Sequence, residues 1–163
     1  MVISILALAA MIAADQIAKV LATQYLAPVG TMPFLPGVME LRYVLNEGMA
    51  FSMLSGARWF LIGATSVALL ALLWVIFCRR SKLKTLEYAS LLLIAGGGIG
   101  NLIDRVLHGY VVDFFATTFV NFAVFNVADC FVCIGVGLLM VAVIREECQN
   151  RKKKKAEGPA DAS

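Results

Sequence analysis

Apolar residues in this chain fall into four long runs separated by polar connections. The clearest, Trp59 to Cys78, holds 20 residues without one charge. At about 1.5 Å rise per residue it crosses a hydrocarbon core of about 30 Å. Val2 to about Leu21, about Thr85 to Ile103 and about Ala123 to Ile144 follow the same logic, so four transmembrane helices are expected. The first long connection has a different rhythm: Met39, Leu41, Tyr43 and Leu45 alternate with Val38, Glu40, Arg42 and Val44. A period of two predicts a strand at the membrane surface, with a plain amphipathic loop as the alternative. Pro33, Pro36 and Gly37 precede it, and Asn46-Glu47-Gly48 is a turn signal from which Ala50-Phe51-Ser52 would return as a second strand. The predicted fold is an all-α integral membrane protein of four transmembrane helices, with a small extracytoplasmic β element over about 31–56 and a membrane-surface loop. Residues 1–150 would form the membrane domain and 151–163 a basic, disordered tail.

Composition agrees with the pattern. With 61% hydrophobic residues, 15% charged residues and a mean hydropathy of +0.85, the 163 residues are too apolar for an ordinary soluble domain. The basic residues set an orientation. Arg79, Arg80, Lys82 and Lys84 follow the second run, and Arg145 with Arg151 to Lys155 follow the fourth, which predicts that both segments are cytoplasmic. Both termini then lie inside, with about Thr23 to Arg58 and about Arg105 to Phe122 outside. The net charge of +3 comes largely from the inner flanks, so Lys152 to Lys155 reads as a topology anchor and not as a nucleic-acid site. Met1 to Ala14 lacks a basic leader and a small-residue cleavage site, and its apolar pattern resumes after Asp15-Gln16, so it reads as a retained helix.

Against this background the acids stand out. Ionisable groups in or beside membrane spans cost about 2.5 to 3.5 kcal/mol at mid-helix on insertion scales, and they usually mark function. Asp113 lies in Val111-Val112-Asp113-Phe114 and Asp129 in Phe125-Asn126-Val127-Ala128-Asp129. Counted from the inner surface, Asp15 lies roughly 21 Å up the first helix, Asp104 about 28 Å up the third and Asp129 about 24 Å up the fourth. Asp113, after the His108-Gly109 break, belongs at the same outer level. If the two acids of Asp113 and Asp129 meet, they suggest an aspartic hydrolase; for Asp15 and Asp104 a structural polar network is an equal alternative. Asn101 and Asp104, three residues apart, share a helix face that must point away from lipid. Gly96 and Gly100 have the spacing that lets a neighbouring helix approach, and no Gly-Lys-Ser/Thr follows to make a phosphate loop. Cys130 and Cys133 have Cys-x-x-Cys spacing without a second cluster, and they read as small hydrophobes. His108 is the only histidine, so no metal set and no cofactor is expected.

At these residues the sequence resembles the lipoprotein signal peptidases, or signal peptidase II family. Five blocks appear in the family's order between Asp15 and Cys133: Asp15-Gln16-Ile17-Ala18-Lys19, Asn46-Glu47-Gly48-Met49-Ala50-Phe51, Gly100-Asn101-Leu102-Ile103-Asp104-Arg105, Val111-Val112-Asp113-Phe114 and Phe125-Asn126-Val127-Ala128-Asp129. The resemblance implies an aspartic endopeptidase of the bacterial cytoplasmic (inner) membrane, with its site at the outer leaflet. Its substrates would be prolipoproteins whose lipobox cysteine already carries diacylglycerol, and it would cleave before that cysteine. The family's catalytic aspartates map onto Asp113 and Asp129, and its polar substrate-site residues onto Asn46, Asn101, Arg105 and Asn126. Asp15, Lys19 and Asp104 would form a supporting polar network. Membrane lipids are the other expected partners, nucleic acid is not, and a monomer is expected. Cys130 stands where a serine often follows the second aspartate, Phe122-Ala123 stands where Trp-Pro is usual, and the 15 residues between the aspartates make a short connection.

Two carboxyl groups close together resist ionising together, so the pair would share a proton, one acting as base on water while the other polarises the scissile carbonyl. Phe114, Phe115, Phe119 and Phe122 would form the membrane-surface loop, as interfacial anchors or as a lid. A proton channel or small transporter is the rival reading, opposed by the lack of an internal repeat and of matching broken spans. A non-catalytic assembly subunit held by the polar network is another.

Overall fold

The computed structural model describes residues 1–48 and 56–156. Among these residues four helices are long and apolar enough to cross a membrane. Helix α1 covers Val2–Leu21 and continues as a π-helical turn over Ala22–Leu26. The others are α2 (Arg58–Cys78), α3 (Thr85–Leu107) and α4 (Val127–Ala156). Ile5, Leu6 and Ile17 of α1, Phe60, Val67 and Leu70 of α2, and Met140, Val143 and Ile144 of α4 are exposed. Large apolar side chains on the outer surface are what lipid, not water, solvates.

Helix α3 is central, and its glycines explain why. Successive residues turn by about 100°, so Gly96, Gly97 and Gly98 face three different neighbours. A Cβ at Gly96 would lie 2.8 Å from the Met11 side chain of α1, one at Gly97 only 2.2 Å from the Ala128 carbonyl oxygen of α4, and one at Gly98 2.8 Å from Leu69 of α2. Gly100 repeats the contact with α1, its missing Cβ leaving room for the Asp15 carboxyl. Gly96 and Gly100 therefore dock one turn of α1, Met11 to Asp15, by the close approach that small residues permit. Towards the other end Leu8, Ile76 and Ala95 form a buried hydrophobic cluster.

Two boundaries depart from the hydropathy reading. The fourth apolar run begins near Ala123, but α4 begins at Val127. Phe125 is extended: its N–H donates to the Phe115 carbonyl at 3.0 Å, and its own carbonyl accepts the Phe114 and Phe115 N–H groups. A backbone so committed cannot be helical, and apolar composition does not distinguish the two states. At the other end the basic segment expected to be disordered from Arg151 is helical to Ala156. Lys, Arg and Ala are strong helix formers, the helix is already nucleated by its membrane span, and Arg151 pairs with Glu147 one turn earlier at 2.9 Å. The remainder of that tail lies outside the described residues.

A three-stranded antiparallel sheet, β1 (Thr31–Leu35), β2 (Met39–Asn46) and β3 (Val111–Thr117) in that order, lies beyond one end of the helices. The alternating segment is β2. Its partners are Thr31–Leu35, through a tight turn at Pro36-Gly37 where Gly37 has φ +76°, and Val111–Thr117. The return strand anticipated at 50–52 lies outside the described residues. Pro33 is accommodated because β1 is an edge strand, where a missing N–H is tolerated. Phe114 and Phe115, expected in a surface loop, belong to β3, and Phe114 is buried with Val112 against Ala22 and Leu26. Burial of a side chain such as Phe114 contributes roughly 1.5–3 kcal/mol. Alternation along β3 then turns Val111 and Asp113 to the other face.

Candidate active site

The site begins with a buried ionic cluster. Asp15 and Lys19, one turn apart on α1, form an ion pair of 2.8 Å, and Lys19 Nζ also meets Asp104 of α3 at 2.9 Å. Its third donor goes to Asn101 Oδ1 at 2.9 Å, so every ammonium hydrogen has an acceptor. Gln16 Nε2 donates to Asp104 Oδ1 at 2.9 Å. The opposite oxygens of the two acids reach other elements. Asp15 Oδ1 accepts the Ala128 N–H at 2.9 Å, and Asp104 Oδ2 accepts the Val112 N–H at 3.3 Å. Ala128 immediately precedes Asp129, and Val112 immediately precedes Asp113. The cluster thus fixes the backbone beside each of the other two acids.

Asp129 is oriented by the start of its own helix. Asn126 Oδ1 accepts the Asp129 N–H at 2.9 Å, and Asp129 Oδ2 accepts the Asn126 N–H at 3.1 Å, a reciprocal capping box at the start of α4. Asp129 Oδ1 accepts Asn101 Nδ2 at 2.7 Å. Asp113 is held across the sheet. Val44 pairs with Asp113 and Asn46 with Val111, which makes Asn46 and Asp113 diagonal neighbours on one face. Asn46 Nδ2 donates to Asp113 Oδ2 at 2.9 Å. Asn126, completely buried, joins the halves: its Nδ2 donates to Asp113 Oδ1 at 2.7 Å and to Asn101 Oδ1 at 3.1 Å. The amide orientations follow from Lys19, which can only donate. Its bond to Asn101 Oδ1 turns Asn101 Nδ2 towards Asp129, and the same oxygen accepts Asn126 Nδ2.

Both carboxyl groups line a cavity of about 390 Å³, together with Arg105 and an apolar wall that includes Val111, Phe122, Phe125, Cys130 and Cys133. Arg105 Nη2 donates to the Gly48 carbonyl at 2.8 Å and Nη1 to the Asn101 carbonyl at 3.4 Å. Its Nε is buried and has no hydrogen-bond partner among the described residues. Burial pushes the Asp113 carboxyl up to about 6; the nearby Asp129 charge acts in the same direction, and the Asn46 and Asn126 hydrogen bonds oppose it. Among the described residues no group of three or more His, Cys, Asp or Glu side chains is placed to hold a metal ion.

All nine residues singled out in the sequence lie in this one connected region. Asp15, Lys19 and Asp104 form the ionic cluster, Asn46, Asn101 and Asn126 the amide bridge, and Asp113, Asp129 and Arg105 the cavity surface. Two contributors had not been singled out for the site. Gln16 had only its place beside Asp15 to mark it. Arg58, at the start of α2, donates to the Arg105 and Val106 carbonyls at 3.0 and 2.8 Å and so closes the end of α3. No local signal announces that contact, because its partners lie 47 and 48 residues away. Of the four phenylalanines read as one loop, Phe119 and Phe122 are exposed, and only Phe122 reaches the cavity.

The comparisons agree with one another. The family described as Signal peptidase (SPase) II matches residues 7–145. Lipoprotein signal peptidases of Streptococcus pyogenes serotypes M6 and M1 are each 37% identical over 143 residues, 88% of this chain and 93% of theirs. Two solved bacterial membrane enzymes have similar folds. One, solved in meso at 2.3 Å resolution, has a TM-score of 0.79 and 28% identity and covers all of this chain and 95% of its own. The other, at 1.9 Å, has a TM-score of 0.78 and 30% identity and covers 88% of this chain and 93% of its own. With four membrane-spanning helices and a family match across nearly its whole length, the chain belongs to the signal peptidase II family.

Proposed function

We propose that Asp113 and Asp129 are the catalytic pair of this membrane peptidase, which removes signal peptides from prolipoproteins. The observation that carries the assignment is the amide of Asn126. Its Nδ2 bonds Asp113 and its Oδ1 the backbone of Asp129, so both carboxyl groups face one cavity in a fixed relation. Held this way, one carboxylate takes a proton from water while the other, protonated, polarises the scissile carbonyl. As the water oxygen adds, the carbonyl becomes a tetrahedral centre, and proton return to the leaving nitrogen completes hydrolysis. The pair titrates as a unit, not as two independent acids.

The amides of Asn101 and Asn126 are engaged with the aspartates, which assigns them a positioning role. Contact with the substrate backbone then falls to Arg105, whose buried Nε would recover a partner in an extended peptide carbonyl. Asn46 acts from the β2 side of the same opening. In the proposed topology Arg79, Arg80, Lys82, Lys84 and the basic end of α4 are cytoplasmic, as are both termini, and the cavity opens at the outer leaflet of a bacterial cytoplasmic membrane. The substrate carries diacylglycerol on its lipobox cysteine, which confines it to the plane of the cavity, and a monomer suffices. Reporters fused after Ser81 or Asn150 are then cytoplasmic, and one inserted near Gly30 is external.

Purified protein in detergent, given a diacylglyceryl-modified precursor peptide, should cleave it before the modified cysteine without added metal or nucleotide, and chelators should not stop it. Proton flux in liposomes without any cleavage would instead support a channel, and loss of cleavage on chelation would reopen a metal mechanism.

A further inference from the structure

Cys130 and Cys133 are thiols of the cavity for which the peptide hydrolysis has no use. They stand three residues apart on α4, so they share a helix face with Cβ atoms about 5–6 Å apart. Both are free thiols, Cys130 half-buried and Cys133 exposed, and both line the cavity that contains Asp113 and Asp129. Cys130 directly follows Asp129, so a group attached there stands beside the carboxyl. No third ligand gathers with them among the described residues, which removes a closed metal site and leaves a two-thiol one.

We infer that Cys130 and Cys133 form a dithiol clamp for a monosubstituted trivalent arsenical, and that the adduct closes the cavity. Two arsenic–sulfur bonds form, and the oxygen of the arsine oxide leaves as water with the two thiol protons. Arsenic stays trivalent, so no oxidant or reductant is consumed. An aryl substituent suits the wall formed by Phe122 and Phe125. The inference rests on the reading of this cavity as the place of cleavage. It predicts an asymmetry between replacing the thiols and modifying them, since serine leaves the cavity open and the adduct fills it.

The test uses the full chain in detergent with Cys78→Ser and Cys148→Ser, leaving the cavity thiols alone. Phenylarsine oxide should add once by intact mass and lower cleavage on the order of 100-fold, the scale expected when substrate is displaced from productive geometry. Excess 2,3-dimercaptopropanol should restore cleavage. Cys130→Ser and Cys133→Ser should each lose the tight adduct, and the cleavage each retains should be insensitive to phenylarsine oxide, because one sulfur cannot bridge. No adduct on the parent, or an equally tight adduct on either single variant, would overturn the clamp. An adduct that leaves cleavage intact would overturn the claim that it closes the cavity. The assignment of the aspartates fails separately, by cleavage in their asparagine variants.

Discussion

Asp15 and Asp104 share the network with Asp113 and Asp129, but the two pairs are neutralised differently. The first pair shares a lysine, with both contacts under 3 Å and all three groups withdrawn from solvent. The second is bonded by neutral amides, from Asn46 and Asn126 on Asp113 and from Asn101 on Asp129. A shared buried cation ties both carboxyl groups to one point between α1 and α3. Amide donors supply hydrogen bonds without supplying charge, so the ionisation of the second pair stays open to its surroundings and to the partner acid. The same residue type thus sits in two different electrostatic settings within one network. The pairs are also coupled, since the structural acids bind the backbone N–H groups just before the cavity acids.

The sharpest way to break the comparison is to remove the carboxyls one at a time. Asp113→Asn and Asp129→Asn should each lower cleavage by about 10²–10⁴-fold or more while insertion and fold persist, because Asn keeps the shape of Asp but cannot exchange the proton. The double variant should lose little more than either single one. Assays on the precursor peptide decide this, and substantial activity in either single variant removes that residue from the pair. Lys19→Met attacks the other side. It leaves Asp15 and Asp104 without their cation and should cost roughly 3–5 kcal/mol of stability, the usual effect of breaking a buried pair. Thermal unfolding in detergent measures it, and an unchanged midpoint would mean that the lysine does not hold the structural acids.

A smaller effect sharpens the contrast through pH. With its carboxyl raised from 3.8 to about 6, the fold favours protonated Asp113. The stability tied to that proton is fully present below 3.8 and is lost as pH rises through about 6, a change of roughly 3 kcal/mol across the interval. Unfolding of the parent and of Asp113→Asn, compared from about pH 4 to about pH 7, should show the parent losing ground as pH rises. Parallel curves would place this carboxyl in its ordinary range.

Much of the site could be read along the chain because the membrane makes polar residues conspicuous. Asn101, Asp104 and Asp129 stand in or beside apolar runs where each needs a reason to be. The strand of Asp113 was less legible. Val111–Thr117 has no alternation of its own, since both of its faces are covered, and its partner β2 lies some 70 residues earlier. The start of α4 was hidden by the same uniformity: Ala123 to Phe125 are as apolar as the helix that follows, and it is the pairing of Phe125 with Phe115 that holds that residue outside the helix. Asn126 was read as a substrate contact. Its role as bridge depends on three elements meeting at its amide.

Sequence by itself determined the four spans, the basic ends and the set of polar residues that the hydrocarbon would not tolerate without purpose, because hydropathy acts within some 20 residues and needs no partner. Tertiary structure decided which acid received the lysine and which received amides. Those choices join Asn46 to Asp113 across 67 positions and Ala128 to Asp15 across 113. They arise from the close approach of α1 and α4 to different glycines of α3, and a hydrogen bond reads distance in space, not separation along the chain.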